Sequence, residues 1–203
     1  MPEHRECLER AVVKPKMGST FTDSASTKDT TLANKPGQLV TYTLVDTTRT
    51  LAGKSGVYVF DNNLDTLYQY YESNGDLSIY VDFSAAGYDA GQEWVTFPFA
   101  SQTTANITTF SKLVVDTVTI SGSVQGSGTG TDIVSGHSLS VEKATLTSQA
   151  KSMLVGTIPA TVLLHYAPSI GLVTYQDFTE QGRLFGTSIS GGTTNYLTSY
   201  SLK

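Results

Sequence analysis

Two alternating runs joined by a glycine turn constrain this chain most. Thr66–Glu72 and Leu77–Phe83 flank Ser73-Asn74-Gly75-Asp76. Period-two alternation is the signature of a strand with two unlike faces. Asn-Gly offers two positive φ values, so the expected connection is a type I′ hairpin turn. Leu77, Ile79, Val81 and Phe83 fall on one face; Tyr68, Tyr70 and Tyr80 alternate away from it. No stretch after residue 16 keeps a helical period. Sheets must bury a face against something, so the expected class is all-β: mostly antiparallel, a curved open barrel or a two-layer sandwich of short strands.

The remaining strands follow the same logic. Ser19–Thr22, Gln38–Val45 and Val57–Phe60 precede the hairpin, with Gly53 and Gly56 marking a turn. Trp94–Phe99 reads as an edge, because Pro98 cannot donate to a ladder. Lys112–Ser123 reads as one strand, with Leu113, Val115, Thr117 and Thr119 on one face. The glycine-dense stretch Gly122–Gly130 reads as a hairpin loop. Further strands are expected near 131–134, 137–148, 160–166, 172–179, 183–189 and 195–202.

Residues 1–16 differ from the rest. Glu3, Arg5, Glu6, Glu9, Arg10, Lys14 and Lys16 crowd them, so they read as a charged leader, frayed or non-native, ahead of a single β domain at 17–203. They contain no apolar core of a signal peptide. Either the protein is cytosolic or an export signal was trimmed or misassigned, and the second is the expectation. Cys7 is preceded by His4, Arg5 and Glu6, which is not the small, apolar context of a lipid-anchored cysteine. No run approaches 18 apolar residues, so no transmembrane helix is expected. A net charge of -5 with no basic cluster argues against a nucleic acid partner.

Motifs with chemistry are weak. Gly53-Lys54-Ser55 lacks the earlier glycine of a phosphate loop, since position 48 is Thr48, and a strand follows instead of a helix. Gly126, Gly128 and Gly130 have no βαβ context. Asp61, Asn63, Asp65 and Glu72 have calcium-loop spacing, but Thr66 occupies the glycine position and flanking helices are missing; Asx turns explain them as well. His137 and His165 lack paired metal spacing, and His165 reads as a packed or hydrogen-bonded core histidine. A serine triad with His137 and Asp132 has no nucleophile elbow. Glu72, Asp76, Asp82, Asp89 and Glu93 read as solvated turn residues. The expected catalytic set, metal set and cofactor set are therefore all none, and the chain is expected not to be an enzyme.

Aromatic residues carry more information. They crowd positions 68–99, and Tyr68, Tyr70, Tyr80 and Trp94 are the candidate ligand-binding residues: rings with wet tips that could grip an apolar ligand or a sugar. Sheet packing is the plainer use of the same rings.

Asn74-Gly75-Asp76-Leu77 leading to Ile79-Tyr80, Trp94 with Phe97-Pro98, Tyr166-Ala167-Pro168 with Ile170-Gly171-Leu172-Val173, and Leu197-Thr198-Ser199-Tyr200 together resemble a loose family of uncharacterised bacterial envelope β-domains, TapB-like secreted proteins or lipoproteins. The resemblance spans roughly residues 17–203. It implies a periplasmic, outer-envelope or secreted location and transfers no catalytic residue. The expected function is a non-catalytic envelope or secreted β-protein binding lipid or another apolar small molecule in a curved sheet. The alternative is a surface module binding glycan or protein, and the third reading is a hydrolase with an unrecognised site. The lipid reading requires an enclosed apolar volume of about 300 Å³ or more, whereas a solid core with an exposed tyrosine patch would favour the surface module.

Overall fold

The computed structural model describes residues 12–82, 91–99, 107–115, 118–152, 156–184 and 187–203. Twelve strands run through them: β1 (Thr20–Thr27), β2 (Gln38–Leu51), β3 (Lys54–Asp61), β4 (Thr66–Tyr71), β5 (Leu77–Asp82), β6 (Gln92–Phe97), β7 (Ile107–Val115), β8 (Val118–Val134), β9 (His137–Ser152), β10 (Gly156–Ala167), β11 (Leu172–Leu184) and β12 (Thr187–Ser201). None of the described residues is helical. All strands belong to one antiparallel sheet in the order β6-β5-β4-β3-β2-β1-β12-β11-β10-β9-β8-β7. Every neighbour in space is a neighbour in sequence except β1 and β12, so the first and last strands meet in mid-sheet.

A sheet this wide coils under its own right-handed twist. Here it curls until β4–β6 face β8–β10, giving a nearly closed barrel. Tyr71, Leu77, Phe97 and Phe99 meet Val124, Leu146, Leu164 and Tyr166 in one buried cluster. Phe99 stacks on Tyr166 at 5.2 Å between ring centres. A second cluster joins Phe21, Leu44, Phe60 and Leu197 to Val134, Leu139 and Val141 at the tip of the β8–β9 hairpin. That tip reaches across to β12, where the Ser135 hydroxyl donates to the Thr198 carbonyl at 2.9 Å. Thr198 is the extra residue of a bulge: the β1–β12 register passes from Thr22↔Ser199 to Asp23↔Leu197. A bulge frees a backbone carbonyl from its ladder, and this one is used to dock the tip.

Of the charged leader, residues 12–16 lie against the domain. Val13 N–H donates to the Pro168 carbonyl at 2.9 Å, Val12 packs on the core, and Pro15 is buried. Gly171 makes room for this segment. A Cβ there would stand 2.0 Å from the Val13 carbonyl oxygen, and its φ is +70°. Residues 1–11 lie outside the described residues.

The architecture is the expected one, and several local expectations change. The β4–β5 loop is not a type I′ turn, because only Gly75 has positive φ (91°). Asn74 instead accepts the Asp76 N–H at 3.1 Å and donates to its carboxylate at 2.8 Å. The result is a three-residue loop with a left-handed glycine, closed by Glu72 N–H to Asp76 O. Two-residue turns with both φ positive occur at Ala52-Gly53 and Ser135-Gly136. Gly122–Gly130 is not a loop: it lies inside β8, with the register slipping between Gly126 and Gly128. Glycine tolerates the bend (φ 98° at Gly128), and at Gly130 its missing Cβ leaves room for the Lys143 side chain. The expected single strands at 112–123 and 183–189 are each two strands, because β7 ends at Val115 and β11 at Leu184. The strands of the second half are also longer than expected, β8 reaching 17 residues.

Candidate functional site

The interior of the curved sheet divides into a packed part and a hollow part. Inward positions of β8–β10 carry Val124, Ala144, Leu146, Leu164 and Tyr166 toward the core. Further along the same strands the inward positions shrink or recede to Ser148, Ala150, Ala160 and Val162. There a cleft of about 430 Å³ opens, walled also by Val81, Ile120, Ile158 and Phe178. Its size falls within the range of ligand sites and its walls are mainly apolar. Glu180 and Asp82 line it as well.

A second cleft of about 230 Å³ adjoins it, and Gln176 lines both. Its apolar walls include Phe21, Val40, Leu67, Ile79 and Leu172. Among them stand Asp23, Tyr42, Asp65 and Gln69. Asp23 Oδ1 is shut off from solvent and has no hydrogen-bond partner; the same holds for Gln69 Oε1. Loss of hydration pushes the Asp23 carboxyl up to about 7. The Tyr42 hydroxyl is pushed up to about 12, first by burial and then by the charges of Asp65 and Asp23. It makes a long 3.4 Å contact to Asp65 Oδ2. An acid shifted by desolvation and lining a cleft marks a candidate site.

Both residues follow from strand register. Asp23 sits between Phe21 and Ala25 on the inward face of β1, opposite Val40 and Leu197. Gln69 sits between Leu67 and Tyr71 on the inward face of β4. Sequence reasoning missed both. The available signal was a polar residue at the inward register of an otherwise apolar face.

The four aromatics expected at a ligand site do gather, but on the outside. Tyr80 lies 5.1 Å from Trp94 and 6.1 Å from Tyr68, and Tyr70 lies 6.4 Å from Trp94. Cross-strand register makes this necessary, since Tyr80 pairs with Trp94 and Tyr70 with Ser78. The Lys54 ammonium stands 4.5 Å over the Tyr70 ring and 5.7 Å from Trp94, while Arg49 lies 6.0 Å from Tyr68. Lys54 also pairs with Glu72, which accepts from Ser78 as well. Trp94 Nε1 donates to the Leu51 carbonyl at 3.1 Å. All four rings are half-buried, so each keeps some exposed surface. Of the face expected to line an apolar cleft, Ile79 and Val81 do so, Leu77 is buried in the core, and Phe83 lies outside the described residues.

The other candidates have these partners. Asp132 does not join His137: both its oxygens lie 3.0 Å from His165 Nδ1, and Oδ2 accepts from Thr174 at 2.6 Å. The His165 ring lies 4.9 Å from Tyr175. Asp61 accepts the Asn63 N–H, Asn62 accepts from Leu64 and Asp65, and Asp65 accepts from Thr66. The Asp61–Asn63 and Asn62–Leu64 contacts are Asx turns, and together these bonds occupy carboxylate and amide oxygens with loop amides. Among the described residues no three His, Cys, Asp or Glu side chains gather as a metal site. No helix of the described residues is long and apolar enough to cross a membrane.

No family model and no curated protein matches the sequence. Two solved structures align with nearly the whole chain. A candidate lipoprotein of Parabacteroides distasonis does so with a TM-score of 0.53 and 11% identity, over 92% of this chain and 96% of its own. A candidate exported protein with a YmcC-like fold, from Bacteroides fragilis, does so with a TM-score of 0.44 and 13% identity, over 95% and 100%. The first shares the fold, and at that identity the likeness extends to the fold alone.

Proposed function

We propose that this chain is a non-catalytic binding protein of the cell envelope or the secreted space, holding an apolar ligand inside its curved sheet. The hollow half of the interior carries this reading: an apolar-walled cleft of about 430 Å³ beside a smaller one of about 230 Å³. The larger cleft is partly open to solvent, so a small molecule can reach its apolar walls without unfolding the sheet. The location is supported by the fold shared with a candidate lipoprotein.

The test is uptake of a neutral apolar fluorophore, N-phenyl-1-naphthylamine, by the purified chain. Bright, saturable fluorescence that Ala160→Phe abolishes without lowering the melting temperature is the expected result. Dark titrations with the intact chain overturn the reading. Native mass spectrometry adds the identity of any co-purified molecule, as a mass lost on denaturation.

A second reading rests on the outer rings. Tyr68, Tyr70, Tyr80 and Trp94, flanked by Lys54 and Arg49, form an aromatic surface with cations at hand. Such a surface suits stacking on a sugar ring. Glycan-array binding that disappears in Trp94→Ala would favour it, and an intact array signal in that variant would remove it.

A further inference from the structure

The lumen is polarised in a way that its apolar walls do not require. Among the described residues lining the two clefts there is no lysine, arginine or histidine. Four acids border them instead: the largely buried Asp23 and the exposed Asp65 at the smaller cleft, the exposed Asp82 and the half-buried Glu180 at the larger. The orphaned polar atoms agree with this bias. Asp23 Oδ1 and Gln69 Oε1 are both acceptors, both sealed from solvent and both without a donor. Gln69 is 5% exposed. A buried acceptor left unmade is costly, and a charged one more so, so two in one cleft mark a place where donors are expected to arrive.

We propose that the smaller cleft docks the primary ammonium head of an amphiphile on Asp23 and Gln69, with the alkyl chain lying in the larger cleft. This rests on the lumen being the binding site, as argued above, and adds the chemistry of the head. An ammonium has three N–H donors and no acceptor. It would satisfy both orphaned oxygens and sit within the field of Asp65. A carboxylate or phosphate head would bring acceptors to acceptors and a negative charge to a wall of acids. The carboxyl of Asp23, held up near 7 by burial, would be drawn back to its ionised form by the arriving cation.

The experiment is displacement of N-phenyl-1-naphthylamine from the full chain at pH 7.5 by dodecylamine, dodecyltrimethylammonium and dodecanoate, each below its micellar concentration. Dodecylamine is expected to displace the dye at a concentration at least tenfold lower than dodecanoate. It should also beat dodecyltrimethylammonium several-fold, because the latter is a cation without donors. Asp23→Asn is expected to reduce the amine-over-carboxylate ratio below about threefold, each ratio being taken at the dye affinity measured for that variant. Gln69→Met, which keeps the volume and removes the acceptor, should weaken the amine and leave dodecanoate unchanged. Circular dichroism melts establish that each variant is folded. Equal displacement by amine and carboxylate, with the dye bound normally, overturns the head assignment and leaves the lumen reading standing. A preference that survives unchanged in both variants overturns the assignment to Asp23 and Gln69. A chain that binds neither dye nor amphiphile overturns the head assignment and the lumen reading together.

Discussion

The packed and hollow halves of the interior are built from the same strands, yet they differ in what those strands place inward. On β10, Tyr166 and Leu164 point into a filled core, whereas Val162, Ala160 and Ile158 border open space. On β9 the pair Ala144 and Leu146 gives way to Ser148 and Ala150. The β9–β10 ladder runs through both halves without a register shift. Only the side-chain volume drops while the separation of the walls is held by the barrel, and a ladder of backbone hydrogen bonds does not collapse to fill the gap. Interior positions of small barrels are normally filled, and a run of small residues on facing strands is how a barrel keeps a cavity. The lesson is a division of labour: the packed half supplies the free energy that lets the other half stay unfilled.

The sharpest way to break this comparison is to mutate equivalent inward positions in each half. Phe60→Ala, in the packed half, should lower stability by about 3–5 kcal/mol. Ala160→Leu, in the hollow half, should change it by less than about 1 kcal/mol, because the added methylenes enter space already present. Urea melts that give equal losses would dissolve the distinction.

The second prediction concerns the acid between the halves. The Asp23 carboxyl lies near 7 in the folded chain against 3.8 in an ordinary one. Between those values the folded chain keeps a proton that the unfolded chain has lost. Its contribution is therefore fully present below pH 3.8, declines as the pH rises toward 7, and is gone above it. The decline amounts to at most about 4 kcal/mol. Asp23→Asn should flatten that part of the stability–pH curve and raise stability at pH 8. An unchanged slope in the variant would mean that water or a relaxed loop already solvates the carboxylate.

A smaller effect is expected where the halves of the chain are pinned together. The buried Tyr71 hydroxyl donates to the Gly171 carbonyl at 2.6 Å, across 100 residues of sequence. Tyr71→Phe leaves that carbonyl without its donor and should cost about 1–3 kcal/mol. Thermal denaturation of the variant measures it directly.

The smallest effect belongs to the outer aromatic surface. Lys54→Met removes the cation over Tyr70 and Trp94 and its partner for Glu72, and should cost no more than about 1 kcal/mol. A loss several times larger would make these rings a structural element and weaken the case for them as a binding surface.

Period-two alternation determined the class of this fold, because a strand side chain must point to one face or the other and Leu, Val and Phe alternate with Thr, Ser and Tyr throughout. It also determined the composition of the outer aromatic surface, since Tyr68, Tyr70 and Tyr80 share a parity that excludes Ile79 and Val81. Strand ends were harder to read. Residues 112–123 and 183–189 alternate without a break in the sequence although β7 ends at Val115 and β11 at Leu184, and the glycines of β8 look like a loop while serving as a bend. Local sequence carries the preference for a turn but not the register that decides where pairing stops. The paired β1 and β12, the tip of β8–β9 seated on the bulge at Thr198, and the placing of Asp23 and Gln69 in the lining of one cleft were decided only by the tertiary structure. Each depends on how far the sheet coils before its faces touch, a property of twelve strands together that no single segment encodes.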